Sequence, residues 1–125
     1  MSVLLWILQV LLAAAFLMHG LMLLAPPPDI AALMNAQLPR GFWIFLGIAE
    51  VLAAIGLTLP GLLRIRPRLV ATAAWGVIIV MVSATIWHLV RAEWSSAVIT
   101  AVLLAMAIVV AVLRGGSHQI RARGA

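Results

Sequence analysis

Four apolar runs of about twenty residues, parted only by short stretches rich in proline, glycine or arginine, leave this chain few folds to adopt. The runs cover residues 3–25, 41–60, 69–90 and 96–113. A helix rising about 1.5 Å per residue needs about twenty apolar residues to cross the hydrocarbon of a bilayer. Inside lipid every backbone polar group must be paired, which a helix achieves within its own segment. The expected fold is therefore all-α: a polytopic membrane protein built as a four-transmembrane-helix bundle over residues 1–114. With 66% hydrophobic and 9% charged residues, the chain lies outside the range of water-soluble domains.

The connections refine this picture. The first run lacks a basic leader, is long for a signal sequence, and is followed by Pro26-Pro27-Pro28 where a cleavage site would need small residues. It reads as a span, stopped by prolines that supply no N–H. Residues 29–38 are too few to cross a membrane. Ile30, Leu33, Met34 and Leu38 recur at helical spacing behind Asp29, a residue suited to an N-cap. A short interfacial helix is expected there, ended by Pro39. Pro60-Gly61 should end the second span, and small residues should mark helix contacts: Ala49 and Ala53, then Ala71, Ala74 and Gly76, then Ala97, Ala101 and Ala105. Residues 115–125 read as a flexible basic tail.

All eight basic residues are arginines, and there are no cysteines. The first fact sets topology and the second removes thiol chemistry and thiolate metal sites. Arg64, Arg66, Arg68, Arg114, Arg121 and Arg123 fall on one side of the bundle, and only Arg40 and Arg91 on the other. By the positive-inside rule both termini are cytoplasmic, in a cell-membrane protein, with Trp43, Trp87 and Trp94 near the outer boundary. The net charge of +5 then implies anionic lipid head groups as partners, and no nucleic acid.

Within the spans the strongly polar side chains are Gln9, His19, Glu50 and His88. A charged residue at the bilayer centre costs roughly 2.5–3.5 kcal/mol even on lenient insertion scales. Glu50 must be neutral, paired, or turned into a polar cavity. Counting along the helices puts His19 and His88 in the outer half and Glu50 near the midplane, about one and a half turns below His19. The three are expected to share an outward-facing pocket beneath residues 29–38. Glu50 shares its face with Gly47, Ala53 and Ala54, His19 with Leu12, Ala15 and Phe16, and His88 with Met81, Ala84 and Thr85. Glu50, His19 and His88 are thus the candidates for ligand binding or proton relay. Phe16, Gly20, Gly47, Met81, Ala84 and Thr85 are the candidate pocket lining. No catalytic residue and no metal site is assigned. Blander readings stand beside these: Glu50 as an inert hydrogen-bonded acid, His88 as an interfacial side chain, and Gln9 as an interhelical hydrogen bond.

These residues carry a resemblance. Phe16-Leu17-Met18-His19-Gly20 resembles the F-x-x-H-G segment of the DoxX-like family of small four-helix membrane proteins. Gly47-Ile48-Ala49-Glu50, followed by Gly56-Leu57, is similar to its G-x-x-E…G-L stretch, and Ala84 with His88 to an A…H ending seen in part of the family. The chain departs from it at Leu23, where the family commonly has a lysine; an ion pair from that lysine to the glutamate is closed to this chain. The resemblance implies a subunit of a membrane redox complex, the founding members being subunits of a thiosulfate:quinone oxidoreductase. A quinone-like amphipathic ligand would then accept a hydrogen bond from His19 or His88, with Glu50 handling the proton. Other redox subunits or further copies of the chain would be its partners, and catalysis by the chain alone is not expected. The alternatives are a non-catalytic assembly or scaffold subunit, a proton-coupled small-molecule transporter, and a haem b protein ligated by His19 and His88. Small multidrug exporters, which suggest the transporter, carry their glutamate in the first helix, where this chain has none.

Overall fold

The computed structural model describes residues 1–124. They form α1 (Ser2–Leu24), α2 (Pro28–Gln37), α3 (Arg40–Leu63), α4 (Arg68–Val90) and α5 (Trp94–Gly115). All but α2 are long and apolar enough to cross a membrane. The short connections make the long helices alternate in direction. α3 packs against α1 and α4, α4 against α5, and α5 closes back on α1, so α1 and α4 are diagonal.

Because the helices are apolar on every side, burial rather than composition shows which face points inward. On α3 the buried residues are Gly47, Glu50, Ala54, Leu57 and Gly61, alternating steps of three and four along one stripe. On α1 they are Leu5, Gln9, Leu12, Ala13, Phe16, Gly20 and Leu23. Leu12, Phe16, Leu57, Val77, Met81 and Val110 fill the centre. Lipid gives these helices no hydrophobic reason to associate, so close packing and interhelical hydrogen bonds hold them together.

Several boundaries differ from the sequence expectation. α3 runs through Pro60 to Leu63 and stops at Arg64, whose backbone is left-handed (φ 55°). Proline removes one N–H near the end of the helix, and membrane helices tolerate this when the freed carbonyl is re-satisfied locally. Asp29 is not the N-cap of α2. Pro27 takes that place, Pro28 opens the helix with its pre-set φ, and Asp29 lies in the first turn. On α5 only Ala97 of the alanine stripe is buried; Ala101 and Ala105 face outward. Steps of four residues drift around a helix by roughly 40° each, and the inward face instead passes through Ala97, Ala107, Val110, Ala111 and Arg114.

The tail folds back on the bundle. The Arg123 amide donates to the Arg64 carbonyl (2.7 Å), and Arg64 Nε to the Arg121 carbonyl (2.8 Å). Ile120 packs against the core beside Gly61 and Trp6.

Candidate functional site

The site is built on a contact between two glycines. A Cβ added to Gly20 would sit 2.9 Å from the carbonyl oxygen of Gly47, and one added to Gly47 would sit 2.9 Å from that of Gly20. Their missing side chains let α1 and α3 approach backbone to backbone, as small residues do where membrane helices cross. Each glycine is close in sequence to a polar residue, so the crossing sets His19 directly against Glu50. Nδ1 of His19 lies 2.9 Å from Oε2 and 3.0 Å from Oε1 of Glu50.

The offset of one and a half turns expected between them is absent. Gly20 lies four residues before the end of α1, whereas Gly47 lies seven residues after the start of α3. α3 therefore begins about one turn beyond the level where α1 ends. Its first residue uses that overhang: Arg40 donates to the carbonyls of Leu23 (2.7 Å) and Leu24 (2.6 Å), capping the last turn of α1. In the sequence Arg40 stands only as a topology charge. The signal available was an arginine opening the helix next to a C-terminus that lacks a polar cap. Trp43, one turn on, fixes α2 by donating from Nε1 to the carbonyls of Met34 (2.9 Å) and Leu38 (3.1 Å).

The pair is asymmetric. Glu50 is 3% exposed and His19 53% exposed, so the carboxyl group is internal and the imidazole faces the surroundings. Glu50 also lines a cleft of about 270 Å³ between α3 and α4, which His19 does not line. Phe16, Ala49, Ala53, Ala73, Val77 and Val80 line it, and Glu50 is the one ionisable residue in its wall. Glu50 thus both lines an apolar cleft and hydrogen-bonds an exposed imidazole.

His88 is not part of this arrangement. Its Nδ1 lies 3.0 Å from Oε1 of Glu93, which also faces Arg91 Nε at 3.4 Å. The three make a cluster at the α4–α5 turn. Chiefly through the His88 hydrogen bond, and then through the Arg91 charge, the Glu93 carboxyl is held below its usual value. His88 is turned away because α4 lies diagonally from α1 and a carboxylate sits five residues further along its own chain. The residues sharing its face follow it: Met81 is in the bundle core, Ala84 packs against that core, and Thr85 bonds Thr100 across α4 and α5 (2.8 Å). Of the candidate lining, Phe16 borders the cleft, and Gly20 and Gly47 form the crossing beside it.

A second polar centre lies nearer the tail. Gln9 donates from Nε2 to the Leu57 carbonyl (2.8 Å) and accepts from Arg114 Nε (2.7 Å). Arg114 is 5% exposed, donates to the His118 carbonyl (3.0 Å) and stacks on the Trp6 ring. Gln9 was legible as an interhelical bond. Arg114, in sequence only one of the topology charges past the last span, is buried here, whereas a helix-end arginine usually faces water.

No curated protein and no solved structure matches the chain. The model of the DoxX-like family matches residues 7–110, which include the glycine crossing, the His19–Glu50 pair and the cleft. With four helices able to span a bilayer, this match makes the chain a multi-pass integral membrane protein of the DoxX-like family.

Proposed function

We propose that the chain is a subunit of a membrane redox complex, holding a quinone-like amphipathic ligand in the cleft beside Glu50 and passing protons through His19. The observation that carries this reading is that Glu50 both lines an apolar cleft and hydrogen-bonds an exposed imidazole. The cleft suits one apolar ring, being slightly smaller than the 300–1,000 Å³ typical of drug-sized ligands. A longer apolar tail on the ligand would leave between α3 and α4 into lipid. Bound there, a quinone accepts electrons from a partner subunit and protons at its carbonyl oxygens.

The protein's part is the proton. A proton taken up at Nε2 of His19 leaves from Nδ1 to the Glu50 carboxylate, and the imidazole is left neutral with its hydrogen on Nε2. The protonated Glu50 then donates to an oxygen in the cleft. His19 suits the outer position because its charge can change near neutral pH. His88, bound to Glu93, has no part in this path.

Binding of a short-tailed quinone to purified protein tests the reading. Glu50→Gln keeps the shape of the cleft but cannot relay a proton; His19→Ala removes the entry point. Weaker binding by Glu50→Gln, and proton uptake slowed in both variants, are expected. Equal binding by wild type and both variants would sink the proposal. The same pair clips α1 to α3, which favours the scaffold reading as second choice. That reading gains if Glu50→Gln co-purifies with a partner and supports full function of the complex.

A further inference from the structure

The arginines on the tail side of the bundle do more than mark an orientation. Where the tail folds over the α3–α4 connection, a cleft of about 570 Å³ opens, lined by Arg66, Arg68, Leu69, Thr72, Ile120 and Arg121 among others. Arg66 and Arg68 from the α3–α4 connection and Arg121 from the tail line one opening. Among the described residues, the side chains of Arg66, Arg68 and Arg121 make no hydrogen bond and no ion pair. Among the described residues no acidic side chain lies beside them: Asp29 and Glu93 belong to the opposite end of the bundle and Glu50 pairs with His19.

The turn is shaped around these groups at a cost. Arg64 and Arg66 both have left-handed backbones (φ 55° and 47°), a conformation that glycine adopts freely and other residues rarely do. Arg64 is then spent on the tail, its Nε and carbonyl holding Arg121 and Arg123 in place. That clasp brings Arg121 opposite Arg66 and Arg68.

From this we infer that the cleft binds the phosphate diester of an anionic phospholipid. Forked guanidinium donors match phosphate oxygens, and several together suit a phosphate diester. The lower wall decides between a lipid and a free phosphate. Leu69 and Thr72 open onto the outward face of α4, which continues through Trp75 (53% exposed) and Ile79 (69% exposed). Acyl chains can descend that apolar ridge while the headgroup stays among the arginines. An inorganic phosphate would leave the ridge unused.

The test titrates detergent-purified full-length protein with short-chain phosphatidylglycerol, phosphatidylcholine and inorganic phosphate, read by native mass spectrometry and intrinsic fluorescence. Wild type should bind phosphatidylglycerol saturably and in preference to phosphatidylcholine. Since each arginine near an anionic surface contributes about a factor of five, Arg66→Gln/Arg68→Gln/Arg121→Gln should bind on the order of a hundredfold more weakly. Arg91→Gln, at the other end of the bundle, should bind as wild type does. Arg121→Gln alone keeps the carbonyl that Arg64 uses and should lose about fivefold, so the inference stays testable even if the triple variant misfolds. It is overturned if the two lipids bind equally, if Arg91→Gln loses as much as the triple variant, or if inorganic phosphate displaces the lipid at equal concentration.

Discussion

Gln9 joins three helices through one amide, donating to Leu57 on α3 and accepting from Arg114 on α5. Its partner is a buried guanidinium whose second terminal nitrogen, Nη2, has no hydrogen-bond partner. Removing one member of such a network leaves the other unpaired, at about 1–3 kcal/mol or more for a charged group. Gln9→Leu should therefore destabilise the bundle by roughly 2–4 kcal/mol, seen as a lower denaturing-detergent midpoint. Gln9→Leu/Arg114→Leu should regain part of that loss, because both polar partners are then gone. A single variant as stable as wild type would contradict this account of the network. Glu93 gives a prediction in pH. Its carboxyl group titrates below the usual 4.5, so the stability it lends the α4–α5 turn is present at neutral pH and fades as pH falls below about that value. The Glu93 carboxyl carbon signal should titrate at lower pH than a free glutamate, and His88→Ala should move it back up. An unchanged titration in His88→Ala would show that Arg91 alone sets it.

At the scale of elements, the α1–α3 crossing depends on the absence of two side chains. Gly47→Ala puts a methyl group against the Gly20 carbonyl and the Leu24 side chain, and the helices must part. A loss of about 1–3 kcal/mol is expected, together with lengthening of the His19–Glu50 bond, visible in the imidazole nitrogen shifts of labelled histidine. Gly76, expected from the sequence to mark a helix contact, makes none and is the control. A Cβ there meets nothing within 4 Å, so Gly76→Ala should leave stability unchanged or raise it by up to about 1 kcal/mol through helix propensity. If both substitutions behave alike, close packing is not what sets the crossing.

For the molecule as a whole, the tail acts as a fifth contact on a four-helix bundle. Ending the chain after Gly116 removes Ile120 from its seat, the His118 carbonyl from Arg114, and the clasp with Arg64. Roughly 2 kcal/mol of stability should go with it, measurable as a lower unfolding midpoint. A truncated chain as stable as the full one would reduce the clasp to a surface contact. The bundle also shows lipid a wide apolar surface, including Ala101 and Ala105 on α5.

Apolar length and the breaks between the runs determined the four long helices, and the short motifs around His19 and Glu50 carried the likeness to the DoxX-like family. Lipid enforces internal backbone pairing, and that requirement can be read one segment at a time. The same uniform hydrophobicity hid which way each helix faces. Ala101 and Ala105 look like packing residues in sequence and point outward, while Arg114 looks like a surface charge and is buried. Glu50 was recognisable as a carboxylate in need of a partner, but the partner could not be chosen by counting residues from assumed boundaries. At that level both His19 and His88 are candidates, His88 with an interfacial reading beside it. The Gly20–Gly47 contact and the overhang of α3 favoured His19, because helix register and rotation are properties of the packed bundle and of no single span.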